Sequence, residues 1–541
     1  TVVSVAGTAT LSLGGSDTIA SLVLGGTIGG EGTLTAATYT LNGGTVTSVG
    51  LGAGVLTSTG SSTITTFALA DTVDVTGGTL TLGSANVLAD TAAVTVATGA
   101  ALVLGGSDTV GTLTLAGTLG GTGTLTASTY TMQPGAVTIA DLGVGTLVVN
   151  GATSLNGTAQ ADFVQVNSGA TLTLGTTDRL SDTAAVAVAS GASLVLNGSD
   201  TVGTLSLAGT LGGAGTLAAN ASTLANGAVL DTTLAGANVT ATGLVTVNAA
   251  LSPTTLTVDS GSFIVNVGNA LSSATTLVVN GGFFDMGSNA SSVGGVVLAG
   301  GTIRGEFNAL VDYDLRNGEF LGVMGGTVGA VKSTAGTVVI TGANTYAGLT
   351  TIVGGTLAVG NGGTFGVLPP TDVINNGILR FARSDAIIFP NNISGAGAVE
   401  QNSPGATTLT GNNGYSGTTL VAAGTLVGGS TGSLSNFSDF AVSSGATLEL
   451  SAAGGVNSLL LAGTLQGSGT LAVAGNVALV GGNVNSPLVA GTLTSEGNSV
   501  LRANVALDVS AAVNNGVLTV GDGAVSGALV ITSPVVIAAG A

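Results

Sequence analysis

The sequence has no cysteine, histidine or tryptophan, and only seven of its 541 residues are lysine or arginine. Without cysteine and histidine the chain cannot form disulfides, perform thiol redox chemistry or bind metals through thiolate or imidazole. Nucleic acids and anionic membranes attract clustered basic residues, yet Arg179 is the sole basic residue between Thr1 and Ile303. We therefore expect no cofactor, no metal, no nucleic-acid partner and no membrane insertion.

Charged and aromatic residues are also scarce. Charged residues make up 6% of the chain and aromatic residues 3%, whereas an ordinary globular domain contains about 25% charged residues. The chain is nevertheless 44% hydrophobic, which is too apolar for disorder. The net charge of −19 serves solubility. The composition predicts a folded protein that differs from an ordinary enzyme or a coiled coil.

Neither end of the sequence carries a recognisable signal. It begins at Thr1 without an initiator methionine or a basic, apolar leader, so we expect a mature or excised piece of a longer product. Ser, Gly, Thr and Pro interrupt the apolar tail from Ala524 to Ala541, which predicts two short strands, ALVIT and PVVIA, rather than a membrane helix. Both ends lack a polar cap, so either caps were removed or another subunit covers them.

A repeated stretch organises most of the chain. It reads VGTLTLAGTLGGTGTL from Val110 to Leu125. The first three intervals between copies are nearly equal and the last is longer, because the five copies begin at Ile19, Val110, Val202, Val293 and Val456. A fixed long period predicts a stack of similar units in which each contacts its neighbours.

Alternation of Thr, Ser or Asn with Val, Leu or Ile, broken at Gly, predicts half-buried strands between tight turns. Strand signals such as Leu80/Leu82, Leu102/Leu104 and Leu119/Leu125 recur about every 17 to 22 residues. We predict an all-β fold, a right-handed parallel β-helix forming a single elongated rod of ~27 coils and ~130 Å at the strand spacing. The alternative is an array of β-sandwiches, but two aromatics in residues 99–189 are few for closed cores.

Three aspartates recur with the repeat, at Asp17, Asp108 and Asp200. A metal site would need several carboxylates within about 5 Å, whereas these copies should lie ~4.5 coils, or ~22 Å, apart. We therefore predict turn aspartates that bond their own backbone.

The densest charge lies in IRGEFNALVDYDLRNGEF, from Ile303 to Phe320, which we interpret as an insert that interrupts the repeat. Asp312, Asp314 and Arg316 alternate with Tyr313 and Leu315 and should share one strand face. Paired carboxylates can hydrolyse glycosides, and Asp with Arg can serve polysaccharide lyases. A solvated strand or lateral loop explains the same residues without catalysis, and this interpretation is preferred.

A different motif then occurs twice. TGANTYAGLTTIVGGTL begins at Thr341 and TGNNGYSGTTLVAAGTL begins at Thr410. At these residues the sequence resembles the passenger-associated transport repeat of bacterial autotransporter passenger domains, and the close match is confined to the region around the two copies. The resemblance implies a secreted or surface-exposed β-helix of a Gram-negative bacterium that crosses the outer membrane unfolded. The resemblance does not indicate which ligand the chain binds.

Tyr346 and Tyr415 match between the two copies and are candidates for stacking on a sugar. The structural alternative is a coil corner in which Asn344 and Asn413 bond the turn. We keep Asp312, Asp314, Arg316, Tyr346 and Tyr415 as possible ligand contacts, with no catalytic residue predicted.

Three segments follow from these patterns. Residues 1–302 form a solenoid with modules of about 91 residues, 303–440 carry the charged insert and both passenger-type repeats, and 441–541 return to the opening pattern. We predict a non-catalytic extracellular structural protein, acting as an adhesin, a stalk or a head-to-tail fibre subunit. Its partner would be a second copy, a host or abiotic surface, or a polysaccharide. The alternative is a polysaccharide-binding or polysaccharide-cleaving protein that uses 303–320.

Overall fold

The computed structural model describes residues 1–502, 505–515, 517–521, 529–531 and 535–537, with side chains described through 502 and at 517–521. The described residues contain strands, turns and bends but no helix, so none of them forms a helix able to cross a membrane. Contacts divide the chain into two compact units, Thr1–Ser272 and Ser273–Ala541.

The first unit is a parallel β-solenoid in which each coil contributes a strand to each of two long ladders. One ladder consists of Val2–Val5, Asp17–Leu24, Thr33–Leu41, Val55–Ser58, Thr72–Val75, Ala93–Val96, Asp108–Leu115, Thr124–Met132, Thr146–Val149, Phe163–Val166, Ala185–Val188, Asp200–Leu207, Thr216–Leu224, Thr233–Ala241 and Leu251–Val258. The other consists of Thr10–Gly14, Thr27–Glu31, Thr45–Val46, Ser62–Ile64, Thr79–Leu82, Ala101–Leu104, Thr118–Gly121, Val137–Thr138, Ala152–Leu155, Thr171–Leu174, Ser193–Leu196, Thr210–Gly213, Ala228–Leu230, Val245–Val247 and Ser262–Val265.

A third, shorter ladder closes each coil of this unit. The long strands contribute to two ladders. Asp108–Val110 pairs with Leu125–Ala127, while the remainder of the strand pairs in the first ladder. The short strands Gly50–Leu51 and Asp141–Leu142 also lie here. Because every pairing is parallel and in register, equivalent Leu and Val side chains stack in the interior, where Leu80, Leu102 and Leu119 form one such column.

One module of the sequence repeat corresponds to five coils. In the first module the residues that stack in successive coils are Ser21, Thr38, Val55, Thr72, Ala93 and Thr112. In the second they are Thr112, Thr129, Thr146, Phe163, Ala185 and Thr204. The second module is one residue longer than the first because one of its turns is longer. This turn reads TGG at 76–78 in the first module and NSGA at 167–170 in the second. The predicted coil length is confirmed, and the predicted number of coils per module is corrected to five.

The second unit is also a parallel β-solenoid. Its ladder I consists of Thr276–Val279, Gly295–Leu298, Tyr313–Leu315, Ala330–Lys332, Thr350–Ile352, Val373–Asn375 and Ile393–Ser394. Ladder II consists of Phe283–Val293, Thr302–Ala309, Gly318–Phe320, Thr337–Ile340, Thr356–Val359, Ile378–Phe381, Ala398–Leu409, Thr419–Gly428, Asp439–Val442, Ser458–Leu461 and Leu471–Val480. The other described strands are Val323–Gly325, Ala386–Phe389, Thr447–Leu450, Gly454–Val456, Thr464–Gly467, Asn483–Val484, Leu488–Glu496, Ser499–Leu501, Val505–Asn515, Leu518–Val520, Leu529–Ile531 and Val535–Ile537.

The all-β parallel solenoid predicted from the sequence is therefore confirmed, and its right-handed sense stays a prediction. Strands Leu529–Ile531 and Val535–Ile537 lie within the two segments predicted at the apolar tail, whose flanking residues are outside the described part of the chain. One predicted column needs correction. Leu119 stacks on Leu102, but the residue that stacks on Leu104 is Gly121 rather than Leu125. A larger residue does not fit at this position, because Gly121 has φ +105° and a Cβ there would lie 2.1 Å from the Leu104 carbonyl oxygen.

The recurrent aspartates bond further than their own turns. Asp108 is buried, and its Oδ2 accepts hydrogen bonds from Val87 N and Leu88 N of the preceding coil at 2.9 and 3.1 Å, while Oδ1 accepts Thr109 N at 2.9 Å. Asp200 repeats this arrangement, whereas exposed Asp17 accepts only Thr18 N among the hydrogen bonds of the described residues. Burial raises the pKa of Asp108 and of Asp200, despite these hydrogen bonds. The turn prediction holds in part, because two of these carboxylates also tie neighbouring coils together.

Candidate functional site

The charge-dense segment from Ile303 to Phe320 is regular solenoid rather than a lateral loop. Its residues form parts of strands Thr302–Ala309, Tyr313–Leu315 and Gly318–Phe320, all paired with neighbouring coils. Tyr313 and Leu315 point inward, 0% and 1% exposed, and the charged residues between and beside them point outward. The alternation predicted for this strand is present, and the interpretation of an inserted element is corrected.

The outward carboxylates of this strand are occupied by structural partners. Arg316 places Nη2 2.7 Å and Nε 2.8 Å from Asp314 Oδ2, and Ser333 Oγ donates to Asp314 Oδ1 at 2.6 Å. Asp312 Oδ1 accepts the Gly329 amide of the next coil at 2.7 Å. Asp312 and Asp314 therefore each bond the next coil, and Arg316 pairs with Asp314 within its own coil. No group of three metal-ligating side chains occurs among the described residues.

The two repeated tyrosines lie inside the solenoid. Tyr346 is 1% exposed and Tyr415 0%, and their hydroxyls lie 2.6 and 2.7 Å from the hydroxyls of Thr350 and Thr419. Burial raises the pKa of Tyr415 to about 12 and raises that of Tyr346 as well. A sugar cannot stack on a ring that has no exposed face, so the structure replaces the predicted stacking role with a packing role.

The matched asparagines of the repeat bridge three successive coils. Asn344 Oδ1 accepts Met324 N at 2.9 Å, and its Nδ2 donates to Val367 O at 2.9 Å. Asn413 Oδ1 accepts Ile393 N at 2.8 Å, and its Nδ2 donates to Ser433 O. Each asparagine therefore satisfies backbone groups of the coils before and after it. The sequence predicted a corner asparagine bonding its own turn, and the contacts extend to both neighbours.

A glycine fixes the second corner of each repeat. Gly355 and Gly424 occupy the same motif position and have φ +69° and +67°. A Cβ on Gly355 would lie 2.3 Å from the Gly336 carbonyl oxygen, and one on Gly424 would lie 2.2 Å from that of Ser403. Only glycine fits a corner where the backbone of the preceding coil approaches this closely.

The two repeats make the same bonds but occupy different ladders. In the first copy Asn344 bonds the Val323–Gly325 strand, Thr350–Ile352 lies in ladder I and Thr356–Val359 in ladder II. In the second copy Asn413 bonds Ile393 of ladder I, and the 419–421 segment of the next strand lies in ladder II. Leu357, Leu379, Val399 and Thr419 form one continuous column. The second copy is therefore displaced by one ladder around the coil.

Sequence reasoning missed a buried lysine beside the charged strand. Lys332 is 0% exposed and stands between Leu315 and Ile352 in ladder I, where its Nζ donates to the carbonyl oxygens of Thr334 and Gly354. Burial lowers its pKa, and the charge of Asp314 acts in the opposite direction. The sequence signal for its burial was its position two residues after Ala330, which places both residues on the inward face of the strand. Solvated lysines are so much commoner that the pattern alone did not single it out.

Comparisons with known proteins fall on the repeats. Residues 331–359 and 399–427 match the passenger-associated-transport-repeat family model, and these ranges contain both motif copies. Over 66 residues the chain is 48% identical to the adhesin BmaC autotransporter of Brucella suis biovar 1 (strain 1330). That alignment covers 12% of this chain and 2% of the relative. No solved structure matches significantly. The chain carries two passenger-associated transport repeats, and the resemblance predicted from the sequence is confirmed.

Proposed function

We propose that this chain is part of an autotransporter passenger that acts as a non-catalytic adhesin outside a Gram-negative cell. The observation that carries the proposal is the pair of passenger repeats in a parallel β-solenoid, together with the local similarity to an autotransporter adhesin. A solenoid presents long outward-facing strands, and its repeating coils place side chains at regular intervals. Such a surface suits attachment more readily than catalysis.

The side chains support the same proposal. The charged residues with the best claim to chemistry, Asp314 and Arg316, are paired with each other. The features that the two repeats share most clearly, their Asn, Tyr and Gly residues, serve the coil itself. Adhesion would therefore depend on outward-facing residues between these structural positions.

Surface display tests the proposal. The chain would be fused to a heterologous autotransporter barrel in a non-adherent Gram-negative host, with surface exposure verified by protease accessibility. We expect retention on epithelial cells or on an abiotic surface to exceed that of a host displaying an unrelated solenoid of similar length. Equal retention of the two displayed proteins on every surface would overturn the adhesin proposal. Head-to-tail association of the chain stays a separate prediction, which sedimentation at increasing concentration would measure.

A further inference from the structure

A groove of about 380 Å³ lies on the second unit and contains outward-facing polar residues together with one exposed aromatic ring. Its volume lies within the range of small-ligand sites. The residues that matter to its chemistry are Asp372, Asn392, Ser394, Asn412, Gly414 and Phe437. The sequence patterns singled out none of these six residues as a site. Buried Asn413 of the second repeat also lines the groove, whereas Tyr415 lies inside the solenoid.

One wall of the groove is a row of side chains from three successive coils. Asn392 Nδ2 donates to Asp372 Oδ1 at 3.0 Å, and the backbone N–H of Asn412 donates to Asn392 Oδ1 at 2.7 Å. The row stands beside ladder I, in which Val373 pairs with Ile393, so its members are about one strand spacing, ~4.8 Å, apart. These two bonds fix the side chains of Asp372 and Asn392 before any ligand arrives.

The row retains unused hydrogen-bonding groups that face solvent. Among the described contacts, Asp372 Oδ2 and the side-chain amides of Asn412 and Asn436 make no intramolecular hydrogen bond. An amide both donates and accepts, and a carboxylate accepts, which together match sugar hydroxyls. No basic side chain lines the groove and Asp372 is acidic, so an anionic ligand would be unfavourable.

The rest of the groove provides a flat apolar surface. Phe437 is 67% exposed, so its ring is accessible from the groove. Nothing lies within 4 Å of the position of a Cβ on Gly414, so the space above it is open. A pyranose ring has an apolar C–H face and a rim of hydroxyls, which suits an aromatic ring next to an amide row. A protein partner would need a far larger contact area than this groove provides.

We propose that this groove binds the pyranose rings of a neutral polysaccharide. The inference rests on the proposed adhesin function and names the ligand class of one adhesive surface. Asp372, Asn412 and Asn436 would bond the hydroxyls, Phe437 would stack on the ring, and Gly414 would leave room for it. Binding at one shallow site is weak, on the order of 1 mM, and a polymer strengthens it by engaging many molecules at once.

Affinity electrophoresis of the full 541-residue chain in native gels tests the proposal. The gels would contain mannan, laminarin or xyloglucan as neutral probes, or alginate as an anionic probe. We expect at least one neutral polymer to retard the chain and alginate to leave it unretarded. Gly414→Leu should fill the groove and raise the dissociation constant at least tenfold, Phe437→Ala should do so by a similar factor, and Asn412→Ala several-fold.

Matched controls separate groove effects from general ones. Gly15→Leu also places a side chain in open space, Phe365→Ala removes a ring that is 70% exposed, and Asn266→Ala removes an exposed stacked amide. All three should bind as the parent chain does, with circular dichroism verifying the fold of every variant. The proposal is overturned if no neutral polymer retards the chain, or if Gly414→Leu binds as tightly as the parent. Adhesion of displayed cells that persists in either case would leave the adhesin proposal standing alone.

Discussion

The aliphatic coils of the first unit and the repeat-bearing coils of the second are built by different means. In the first unit the interior is mainly columns of Leu and Val, and coil lengths recur in a fixed order. The second unit also has aliphatic columns, but it adds an aromatic cluster, with ring centroids 5.9 to 6.4 Å apart among Phe284, Phe307, Phe320, Tyr313 and Tyr346. Buried polar groups such as Lys332 and Gln401 bond the backbone there.

This difference shows two ways of fixing a coil on its neighbour. Aliphatic columns gain from burial wherever the pattern continues, so one Leu coil can follow another without a specific contact. Polar side chains must meet particular backbone groups, so they specify which coil lies above and below. The two passenger repeats illustrate the second way, because their Asn and Tyr bonds agree although the copies occupy different ladders.

The largest effect should come from removing the centre of the aromatic cluster. Phe307 is fully buried between Phe284 and Phe320, so Phe307→Ala should destabilise the second unit by about 3–5 kcal/mol. Hydrogen exchange would report the loss as faster opening of strands Thr302–Ala309 and Gly318–Phe320, with the first unit unaffected. Phe365→Ala, at an exposed ring, should change stability by less than about 0.5 kcal/mol. Equal effects of the two substitutions would contradict the role assigned to the cluster.

A smaller loss should follow removal of either repeat asparagine. Asn344→Ala and Asn413→Ala each remove the side-chain acceptor of one backbone N–H and the side-chain donor to one backbone carbonyl, which should cost about 2–3 kcal/mol. Because the local bonds are the same, the two values should agree within about 1 kcal/mol despite the different ladders. Denaturant titration followed by hydrogen exchange measures both. A large cost at one copy and none at the other would show that the repeat is not a local unit.

The recurrent aspartates provide a comparison within the first unit. Asp108→Asn removes one of two acceptor oxygens that serve three backbone amides, two of them in buried hydrogen bonds, and we expect a loss of about 1–2 kcal/mol. Asp17→Asn changes the same GGSDT sequence where only one exposed bond exists, so thermal unfolding should not move. If the Asp17 variant is the less stable of the two, the bridging role of Asp108 is refuted.

Of these perturbations, a rise in pH from neutrality should have the smallest effect on stability. Burial raises the pKa of Tyr39, Tyr130 and Tyr346, and it raises those of Tyr313 and Tyr415 to about 12. Each folded-state pKa lies above the unfolded value of 10.0, so this stabilisation is complete below pH 10 and is lost as pH rises toward 12. Tyrosinate absorbance should show Tyr39 and Tyr130 ionising before the second-unit tyrosines. Phe substitutions at single positions assign each step, and simultaneous ionisation at the unfolded pKa would contradict the burial.

The sequence predicted what depends on local pattern. Alternation identified the strands, and Gly spacing identified the coil length, because both follow from short-range geometry. The number of coils per module was underestimated because three of the five coils in a module are short. In the second module these run from Thr112 to Thr129, to Thr146 and to Phe163, and each takes fewer residues than the average of ~20 assumed for a rod of ~27 coils. The burial of Asp108 and Tyr346 was not predicted, because it depends on residues of neighbouring coils that meet them only in the folded solenoid.

The displacement of the second repeat was also beyond sequence reasoning. In the motif Thr419 corresponds to Thr350, because the copies begin at Thr410 and Thr341. Three coil steps, through Val399 and Leu379, instead bring Thr419 back to Leu357. In the first copy Thr350 lies in ladder I and Leu357 lies in ladder II. Thr419, which corresponds to Thr350 in the motif, therefore lies one ladder further around the coil than its counterpart. Individual coil lengths vary with turn content, so their cumulative register could not be obtained from the motif spacing alone.

The most direct test of the displaced-repeat solenoid is a spin-label measurement on the relative positions of the two repeats. The native chain has no cysteine, so Glu400→Cys with Leu420→Cys gives one defined label pair in ladder II, where these residues are register partners. Strong spin–spin broadening is predicted at the ~4.8 Å strand spacing. Ser394→Cys with Leu420→Cys, which would be neighbours if both repeats shared ladder I, should show none. Broadening in the second pair and its absence in the first would contradict the displaced-repeat solenoid.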